Sequence, residues 1–182
     1  MKRVCVLGNS GSGKSTFTRA LAKKLGVPAH YLDAVFWRPG WQKPERPEFY
    51  FRSKELTRED VWVIDGSFSS TLSFQLEQAD AVVMLDVPRW VSLYSVVRRR
   101  IANHNKTRAD MAPGCPEKLD LAFIRWIWEG PQRTHRTLEQ LQQYPHLKIH
   151  VFKSRKAAWD WLERQSGFVP QPVPCDLFPN FL

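Results

Sequence analysis

Short apolar runs alternate with longer amphipathic stretches along most of this chain. Five runs of four to six residues are rich in aliphatic and β-branched side chains, at 2–7, 29–32, 61–64, 81–85 and 148–152. Such continuous apolar runs are typical of strands that are buried on both faces. Because helical patterns lie between these runs, the sequence predicts an α/β fold, in which helices cover both faces of a parallel sheet.

The helical stretches are predicted from apolar residues at three- and four-residue spacing. They cover 15–25, 47–58, 71–77, a stretch from about 90 to 102, 117–143 with an interruption at Gly130-Pro131, and 154–164. In the fourth of these, one apolar stripe marks an amphipathic helix and consists of Trp90, Leu93, Tyr94, Val97 and Ile101. Residues 103–116 are predicted to be irregular, and so is the proline-rich tail after 166.

Chain length and cysteine content narrow the class of protein. A chain of 182 residues corresponds to one domain with a substantial core. No apolar run approaches the roughly 18 residues of a membrane span, and the basic residues at the start precede a strand instead of the apolar part of a secretion signal. Three cysteines without a C-x-x-C pair indicate neither a disulfide framework nor a zinc site. We therefore expect a cytoplasmic protein without a membrane partner.

Residues 8–15 form the most informative motif of the chain. They read Gly-Asn-Ser-Gly-Ser-Gly-Lys-Ser and match the phosphate-binding pattern G-x-x-x-x-G-K-[ST]. The glycines let backbone N–H groups point at phosphate oxygens, Lys14 can reach the β- and γ-phosphates, and the Ser15 hydroxyl can bind Mg²⁺.

The predicted flanks argue against a chance match of this motif to a glycine-rich turn. A strand precedes the loop, and the helix after it adds the partial positive charge of its N-terminus. G-x-G-x-x-G is missing, which disfavours a dinucleotide-binding fold. We predict an ATP site formed by Gly8, Ser10, Gly11, Ser12, Gly13, Lys14, Ser15 and Thr16.

Three aspartates follow predicted strands, where ligands of open α/β sheets bind. Asp65 ends an apolar strand and is favoured over Asp86 as the acid that faces Mg²⁺, since Asp86 can instead cap the helix that follows it. Asp33 has two open roles. It can orient or deprotonate an acceptor hydroxyl, or it can simply form the turn after its strand.

Arginines are the candidates for stabilising a transferring phosphoryl group. Arg98, Arg99 and Arg100 cannot all face one ligand, because successive helical positions differ by about 100°. We select Arg100, together with Arg108 in the irregular segment, where a lid can close. Arg133 and Arg136 are equally compatible with a site and with solvent.

The net charge of +9 suits either a polyphosphate site or nucleic acid. Nucleic acid remains possible as a partner but is not favoured, because no DNA- or RNA-binding motif accompanies the charge.

Several aromatic and thiol side chains are assigned structural roles. Phe36, Trp37 and Trp41 are expected in the core more than on a base or sugar, and the region of Trp126 and Trp128 is expected to be buried. Cys115, between Gly114 and Pro116, is expected to be a lid residue without a redox function.

The order of these features resembles the adenylate kinase and shikimate kinase group of P-loop small-molecule kinases. The resemblance rests on the loop at 8–15, Asp33, Asp65-Gly66, the arginines before the predicted lid, and Arg155 after the fifth strand. More closely, the chain resembles bacterial DNA topology modulation proteins, which are adenylate kinase-like. That resemblance covers about residues 1–162 and rests on 32–41, 64–67, 85–90 and 107–118, the last reading TRADMAPGCPEK.

This resemblance implies a three-layer P-loop NTPase fold with a five-stranded parallel sheet in the order 2-3-1-4-5 and a short lid at about 103–118. The kinase-like domain would span 1–165, followed by a tail at 166–182. ATP would bind on the loop, with a contact to its base side from Arg155. The Asp-Gly-Phe-Pro-Arg stretch of adenylate kinases is missing, because Ser67-Phe68-Ser69 follow Asp65-Gly66. AMP is therefore not expected as the acceptor.

The leading hypothesis is a kinase that transfers the γ-phosphate of Mg-ATP to a nucleotide, a nucleoside or another small molecule. Lys14, Asp33, Arg100 and Arg108 would carry the catalysis, and Ser15 and Asp65 would bind Mg²⁺. The alternative is an ATP-binding regulator, not a kinase, that contacts DNA or a protein. Both a monomer and a homodimer are compatible with the sequence.

Overall fold

A computed structural model describes residues 1–104, 106–108 and 110–165 of the chain. Its strands are β1 Arg3–Gly8, β2 Ala29–Tyr31, β3 Trp62–Asp65, β4 Ala81–Leu85 and β5 Lys148–Phe152. Its α-helices are α1 Lys14–Leu25, α2 Leu32–Phe36, α3 Arg46–Thr57, α4 Leu72–Gln78, α5 Arg89–Ala102, α6 Leu121–Trp128, α7 Gly130–Leu141 and α8 Arg155–Arg164. A short 3₁₀ turn spans Pro39–Trp41. The predicted tail at 166–182 lies outside the described residues.

The five strands form one parallel sheet in the order β2-β3-β1-β4-β5, as predicted. Register brings the carboxyl ends of the central strands together, since Val6 of β1 pairs with Asp65 and Gly8 pairs with Leu85. The start of the phosphate-binding motif and the acid of β3 therefore meet at one edge of the sheet.

Side chains of the strands point alternately to the two faces of the sheet, and each face has its own apolar cluster. Val4, Val6 and Val83 belong to the cluster that contains Phe17 and Leu21 of α1 and Leu162 of α8. Cys5, Leu7 and Met84 belong to the other cluster, with Leu76 of α4 and Leu141 of α7. Because successive strand residues point to opposite faces, one apolar run supplies both clusters, which explains why these runs do not alternate with polar residues.

Several element boundaries differ from the sequence prediction, and two of these differences change the role of a residue. The second strand ends at Tyr31 and the short helix α2 begins at Leu32, so Asp33 lies in the first turn of a helix and not in a turn after a strand. The helical stretch predicted from Glu117 begins at Leu121 instead. There Asp120 is the N-cap residue, and its side chain accepts a hydrogen bond from the Phe123 N–H at 2.8 Å.

Two helices expose much of their apolar surface. On α5, Ser92 and Val96 are the buried residues, whereas Trp90, Tyr94, Val97 and Ile101 face solvent. On α6, the expected burial of the tryptophans is wrong. Ile127 is buried, while Trp126 and Trp128 are 44% and 50% exposed, each with an arginine guanidinium over its ring. Within the described ranges, no helix is both long and apolar enough to cross a membrane.

Candidate active site

The phosphate-binding motif connects β1 to α1 at the carboxyl edge of the sheet. Gly8 ends β1, and Lys14 begins α1 after a loop in which Gly11 and Gly13 have φ angles of 78° and 100°. A Cβ added to Gly11 would lie 2.3 Å from the carbonyl oxygen of Ser92 on α5. The loop therefore needs glycine at this position both for its backbone conformation and for the close approach of α5.

Arg155 supports this loop from the start of α8. Its Nε donates to the Ser12 carbonyl at 3.0 Å, and one Nη donates to the Gly11 carbonyl and to the Ser95 hydroxyl, each at 2.6 Å. Burial lowers the pKa of the Arg155 guanidinium. These bonds join the loop, α5 and α8. The predicted contact of Arg155 with a nucleotide base stays a prediction.

Lys14 and Asp65 come together at the mouth of the loop. The Lys14 Nζ lies 3.8 Å from Asp65 Oδ1, and Asp65 is only 5% exposed. Burial raises the pKa of the Asp65 carboxyl, while the charge of Lys14 and the hydroxyl of Ser15 lower it. Asp65 Oδ1 has no hydrogen-bond partner in the described structure. A buried carboxylate oxygen that lacks a partner, with a hydroxyl nearby, suits a hard cation or its water shell.

Asp86, the other candidate for the metal, is occupied differently. Its carboxylate accepts a hydrogen bond from the Lys153 ammonium. The N-cap of α5 is Pro88, without a side-chain cap, so Asp86 does not cap that helix as the sequence had suggested. Among the described residues, no group of three or more His, Cys, Asp and Glu side chains is arranged to hold a metal ion.

Two further acids lie near Asp65. The negative charges of Asp33 and Asp110 both help to raise the pKa of the Asp65 carboxyl. Burial raises the pKa of the Tyr31 hydroxyl most. The charges of Asp65 and Asp110 also raise this pKa, whereas Arg19 lowers it. Sequence reasoning selected Asp33 and missed Asp110, which reaches this region only through the folding of the lid.

The two predicted lid arginines are engaged with other side chains. Arg108 forms ion pairs with Asp110 at 2.7 Å and with Glu117, and Glu117 also binds Arg99 at 3.1 Å. Burial and the charge of Arg108 lower the pKa of Arg99. Arg100 at the end of α5 hydrogen-bonds His104 at 2.5 Å. In this conformation neither Arg100 nor Arg108 forms a hydrogen bond or ion pair with the loop among the described residues.

Residues 114–116, which belong to the predicted lid, are docked on the segment after α2. The Gly40 N–H donates to the Gly114 carbonyl at 2.9 Å, and the Trp41 Nε1–H donates to the Pro116 carbonyl at 3.0 Å. The Cys115 thiol is buried and donates to the Arg38 carbonyl at 3.2 Å. These contacts pack residues 114–116 against Trp37 and Trp41. The expectation that Cys115 is a lid residue without a redox function stays a prediction.

The aromatic residues beside this contact pack mainly against one another. The ring centroid of Phe36 lies 4.6 Å from that of Phe68 in a stacked arrangement and 4.9 Å from that of Phe49. Trp37 and Trp41 pack with Met111, Ala112 and Cys115. Phe36, Trp37 and Trp41 are half-buried, so the core role expected for them is met only in part.

The two arginines of α7 differ in position. Arg133 approaches Asn9 of the loop, with an Nη at 3.5 Å from Asn9 Oδ1, whereas Arg136 is exposed. Asn9 itself was not selected from the sequence, because its position in the motif accepts any residue.

Comparison with known proteins supports the fold. The structure is similar to shikimate kinase from Acinetobacter baumannii in complex with shikimate, with a TM-score of 0.54, 19% identity and coverage of 90% of each chain. Shikimate kinase from Aquifex aeolicus gives a TM-score of 0.53 at 20% identity, over 88% of this chain and 92% of that one. The shikimate kinase from Bacteroides thetaiotaomicron gives 0.51 at 20% identity, over 90% and 95%.

The chain has the α/β fold of P-loop kinases. No protein-family model matches it, and no curated protein sequence is similar enough to count as a relative. At identities of 19–20%, the likeness to the shikimate kinases establishes the fold and leaves the activity to be argued from the site.

Proposed function

We propose that this protein is a kinase that transfers the γ-phosphoryl group of Mg-ATP to a small-molecule acceptor. The observation that carries the proposal is the meeting of Lys14, Ser15 and buried Asp65 at the carboxyl edge of a sheet with P-loop kinase topology. Phosphoryl transfer depends mainly on positioning and on charge stabilisation, and these residues supply both.

Each residue of the loop has a defined part in this proposal. Backbone N–H groups of residues 8–16 and the Lys14 ammonium would hold the phosphates of ATP. The Ser15 hydroxyl and the Asp65 carboxylate would hold Mg²⁺, directly or through water. When bound, Mg²⁺ neutralises charge on the transferring group. Asp33 would accept a proton from the acceptor hydroxyl or orient it.

The lid arginines would act after a rearrangement. Arg108 is bound to Asp110 and Glu117 in this conformation, and Arg100 is bound to His104. A triphosphate in the loop would compete for these guanidinium groups, because it offers several charged acceptor oxygens. Their roles as catalytic residues belong to the proposal.

We expect the acceptor site, which would lie near Asp33, to select against an AMP-like phosphate. Phe68 occupies the region after Asp65-Gly66, where adenylate kinases carry a Pro-Arg pair, and its ring packs on Phe36 and Phe49. The carboxylates of Asp33 and Asp110 lie near Asp65 and would repel an anionic acceptor there. We therefore favour a neutral acceptor with a hydroxyl group and an apolar portion.

The resemblance to DNA topology modulation proteins keeps DNA as an outcome of the test. Nothing in the described structure specifically favours a DNA-binding role over a kinase. Cytoplasmic location and oligomeric state, monomer or homodimer, also stay predictions.

The test uses purified full-length protein with Mg-ATP and a panel of nucleosides, nucleotides, sugars and small hydroxyl metabolites. Mass detection of a product that carries one added phosphate would support the proposal. Absence of product from every acceptor, together with ATP-dependent retention of DNA, would reject it in favour of the regulator. Retention should then fall steeply with salt, because binding to several phosphates releases counterions.

A further inference from the structure

The boundary between α6 and α7 has a defect in its backbone hydrogen bonding. In a continuous helix, the Ile127 carbonyl would accept a hydrogen bond from the N–H of residue 131. That residue is Pro131, the second residue of α7, which has no N–H. Ile127 is fully buried, so water cannot easily satisfy this carbonyl. The Glu129 N–H approaches the Ile127 carbonyl, but its main acceptor is the Arg125 carbonyl at 3.0 Å, so the Ile127 carbonyl has no regular helical donor among the described residues. An under-satisfied buried carbonyl is costly and calls for another partner.

The phosphate-binding loop provides that partner. The Asn9 side-chain amide donates to the Ile127 carbonyl at 2.7 Å, and Asn9 is only 9% exposed. Gly130 makes room for it, because a Cβ added at Gly130 would lie 2.0 Å from Asn9 Nδ2. Pro131 removes the helical donor, Gly130 opens the space, and Asn9 fills it.

The oxygen of the Asn9 side-chain amide contacts both the loop and α7. Asn9 Oδ1 accepts from the Ser10 N–H at 2.9 Å and lies 3.5 Å from an Nη of Arg133. The Arg133 guanidinium in turn donates to the Trp126 carbonyl and stacks 3.9 Å over the Trp126 ring. The orientation of the amide follows from this network, since a reversed amide would place its oxygen against the Ile127 carbonyl.

We infer that Asn9 is a positioning residue that locks the phosphate-binding loop to the α6–α7 boundary and thereby sets the loop's shape and its distance from Arg133. This inference rests on the proposed function, because it assumes that the loop binds nucleotide. Its structural part, the lock between Asn9 and Ile127, does not depend on any ligand.

The test compares three substitutions. Asn9→Ala removes both ends of the lock, and Asn9→Asp keeps an acceptor for the Ser10 N–H but loses the donor to Ile127. Asn9→Ala combined with Pro131→Ala restores a helical N–H for the Ile127 carbonyl without restoring the link to the loop. Pro131→Ala alone is the control.

The expected results separate stability from positioning. Asn9→Ala and Asn9→Asp should lower the thermal midpoint by about 3 °C, the shift expected for one lost buried hydrogen bond in a chain of this size. The double variant should recover most of that shift. In both Asn9→Ala proteins, hydrogen exchange of the 8–16 segment should stay about tenfold faster than in wild type, and Mg-ADP affinity should stay about tenfold weaker.

Two results would overturn the inference. If the double variant regains wild-type exchange at 8–16 along with its thermal midpoint, Asn9 has only a structural role. If Asn9→Ala changes neither the thermal midpoint nor the hydrogen exchange of the 8–16 segment, the lock does not exist. Failure of wild-type protein to bind Mg-ADP would instead reject the proposed function, and the exchange and melting data would still decide on the lock.

Discussion

In the described part of the chain, Asp65 combines burial, an ion pair with Lys14 and an unpartnered carboxylate oxygen in one side chain of the candidate site. It is buried at the end of β3, it lies 3.8 Å from the Lys14 ammonium, and its Oδ1 has no hydrogen-bond partner among the described residues. Burial raises the pKa of its carboxyl, so the fold holds the ionised form at a cost to stability. Costs of this kind are typical of functional sites.

We predict that Asp65→Asn lowers phosphoryl transfer by about 100-fold or more, since it removes the charge that would face Mg²⁺ in the proposed function. Because the folded-state pKa is raised, the wild-type carboxyl binds more protons in the folded than in the unfolded state above about pH 4. Wild-type stability should thus fall relative to Asp65→Asn as pH rises from there through the folded-state pKa. Thermal melts over a pH series test this.

The matched control is Asp86→Asn, since Asp86 directly follows β4 but binds Lys153. It should retain turnover close to wild type. Equal losses of turnover in the two variants would show that Asp65 is no more important for transfer than Asp86.

Two glycines with similar backbone angles offer a test of loop packing. Gly11 and Gly40 have φ angles of 78° and 74°. A Cβ at Gly11 would lie 2.3 Å from the Ser92 carbonyl oxygen, whereas a Cβ at Gly40 would meet nothing within 4 Å. Both alanine variants should cost about 1–2 kcal/mol for the left-handed backbone, and Gly11→Ala should cost more because of the collision. Urea unfolding measures the difference. Equal costs would show that α5 does not press on the loop.

At this scale, the sequence predicts the residues whose chemistry follows from a motif. Lys14, Ser15 and Asp65 are placed by strand and loop patterns alone, and the structure brings them together. Asn9, Asp110 and Glu117 were missed, because their roles come from contacts with residues far away in the sequence. No local pattern marks such partners.

Among the elements, β5 carries a titratable group at the sheet edge. Its His150 ring lies 4.8 Å from the ring of Trp161 on α8. Burial and the charge of Lys148 lower the pKa of His150 from its ordinary value of 6.5. The unfolded chain then binds more protons than the fold just below pH 6.5, so stability falls as pH drops through that range towards the folded-state pKa.

We predict that His150→Phe removes this part of the pH dependence. Phenylalanine keeps a ring against Trp161 but has no proton to bind. Thermal melts from pH 7.5 to 5 should show a steeper loss in wild type than in the variant, with the difference growing as pH falls below about 6.5. Parallel curves for the two proteins would show that His150 has the same pKa in both states.

Helices show what apolar spacing can and cannot predict. The stripe on α5 was recognised from its spacing, yet Trp90 and Ile101 are 67% and 74% exposed. Spacing identifies which residues share a helix face, but it does not tell whether another element covers that face. The short helix α2 was missed for a related reason, because five residues are too few to show a helical period.

At the scale of the whole molecule, a partly buried ionic network holds the predicted lid to the rest of the protein. Glu117 joins Arg99 of α5 to Arg108. The Gly40 N–H donates to the Gly114 carbonyl, and the Trp41 side chain donates to the Pro116 carbonyl. The sheet order follows from the resemblance to P-loop kinases, whereas this docking depends on long-range contacts that no local pattern records.

We predict that Glu117→Gln loosens the predicted lid, because Arg99 and Arg108, both half-buried, lose the charge of the carboxylate that they share. Trypsin cleavage after Lys106 and Arg108 should become about tenfold faster, as measured by mass spectrometry of the fragments. Glu129→Gln is the control, since its pair with Arg125 is exposed and contributes little. Unchanged cleavage in Glu117→Gln would mean that the network does not hold the lid.

The central claim is phosphoryl transfer from a nucleotide bound at residues 8–15. The most direct measurement follows the labelled γ-phosphoryl group of Mg-ATP in wild-type protein and in Lys14→Ala, with the acceptor panel present and a circular dichroism spectrum to confirm that the variant is folded. We predict label in a small-molecule product with wild type and a loss of about 1,000-fold or more in Lys14→Ala. Equal transfer by both proteins, or label only in inorganic phosphate with wild type, would contradict the account.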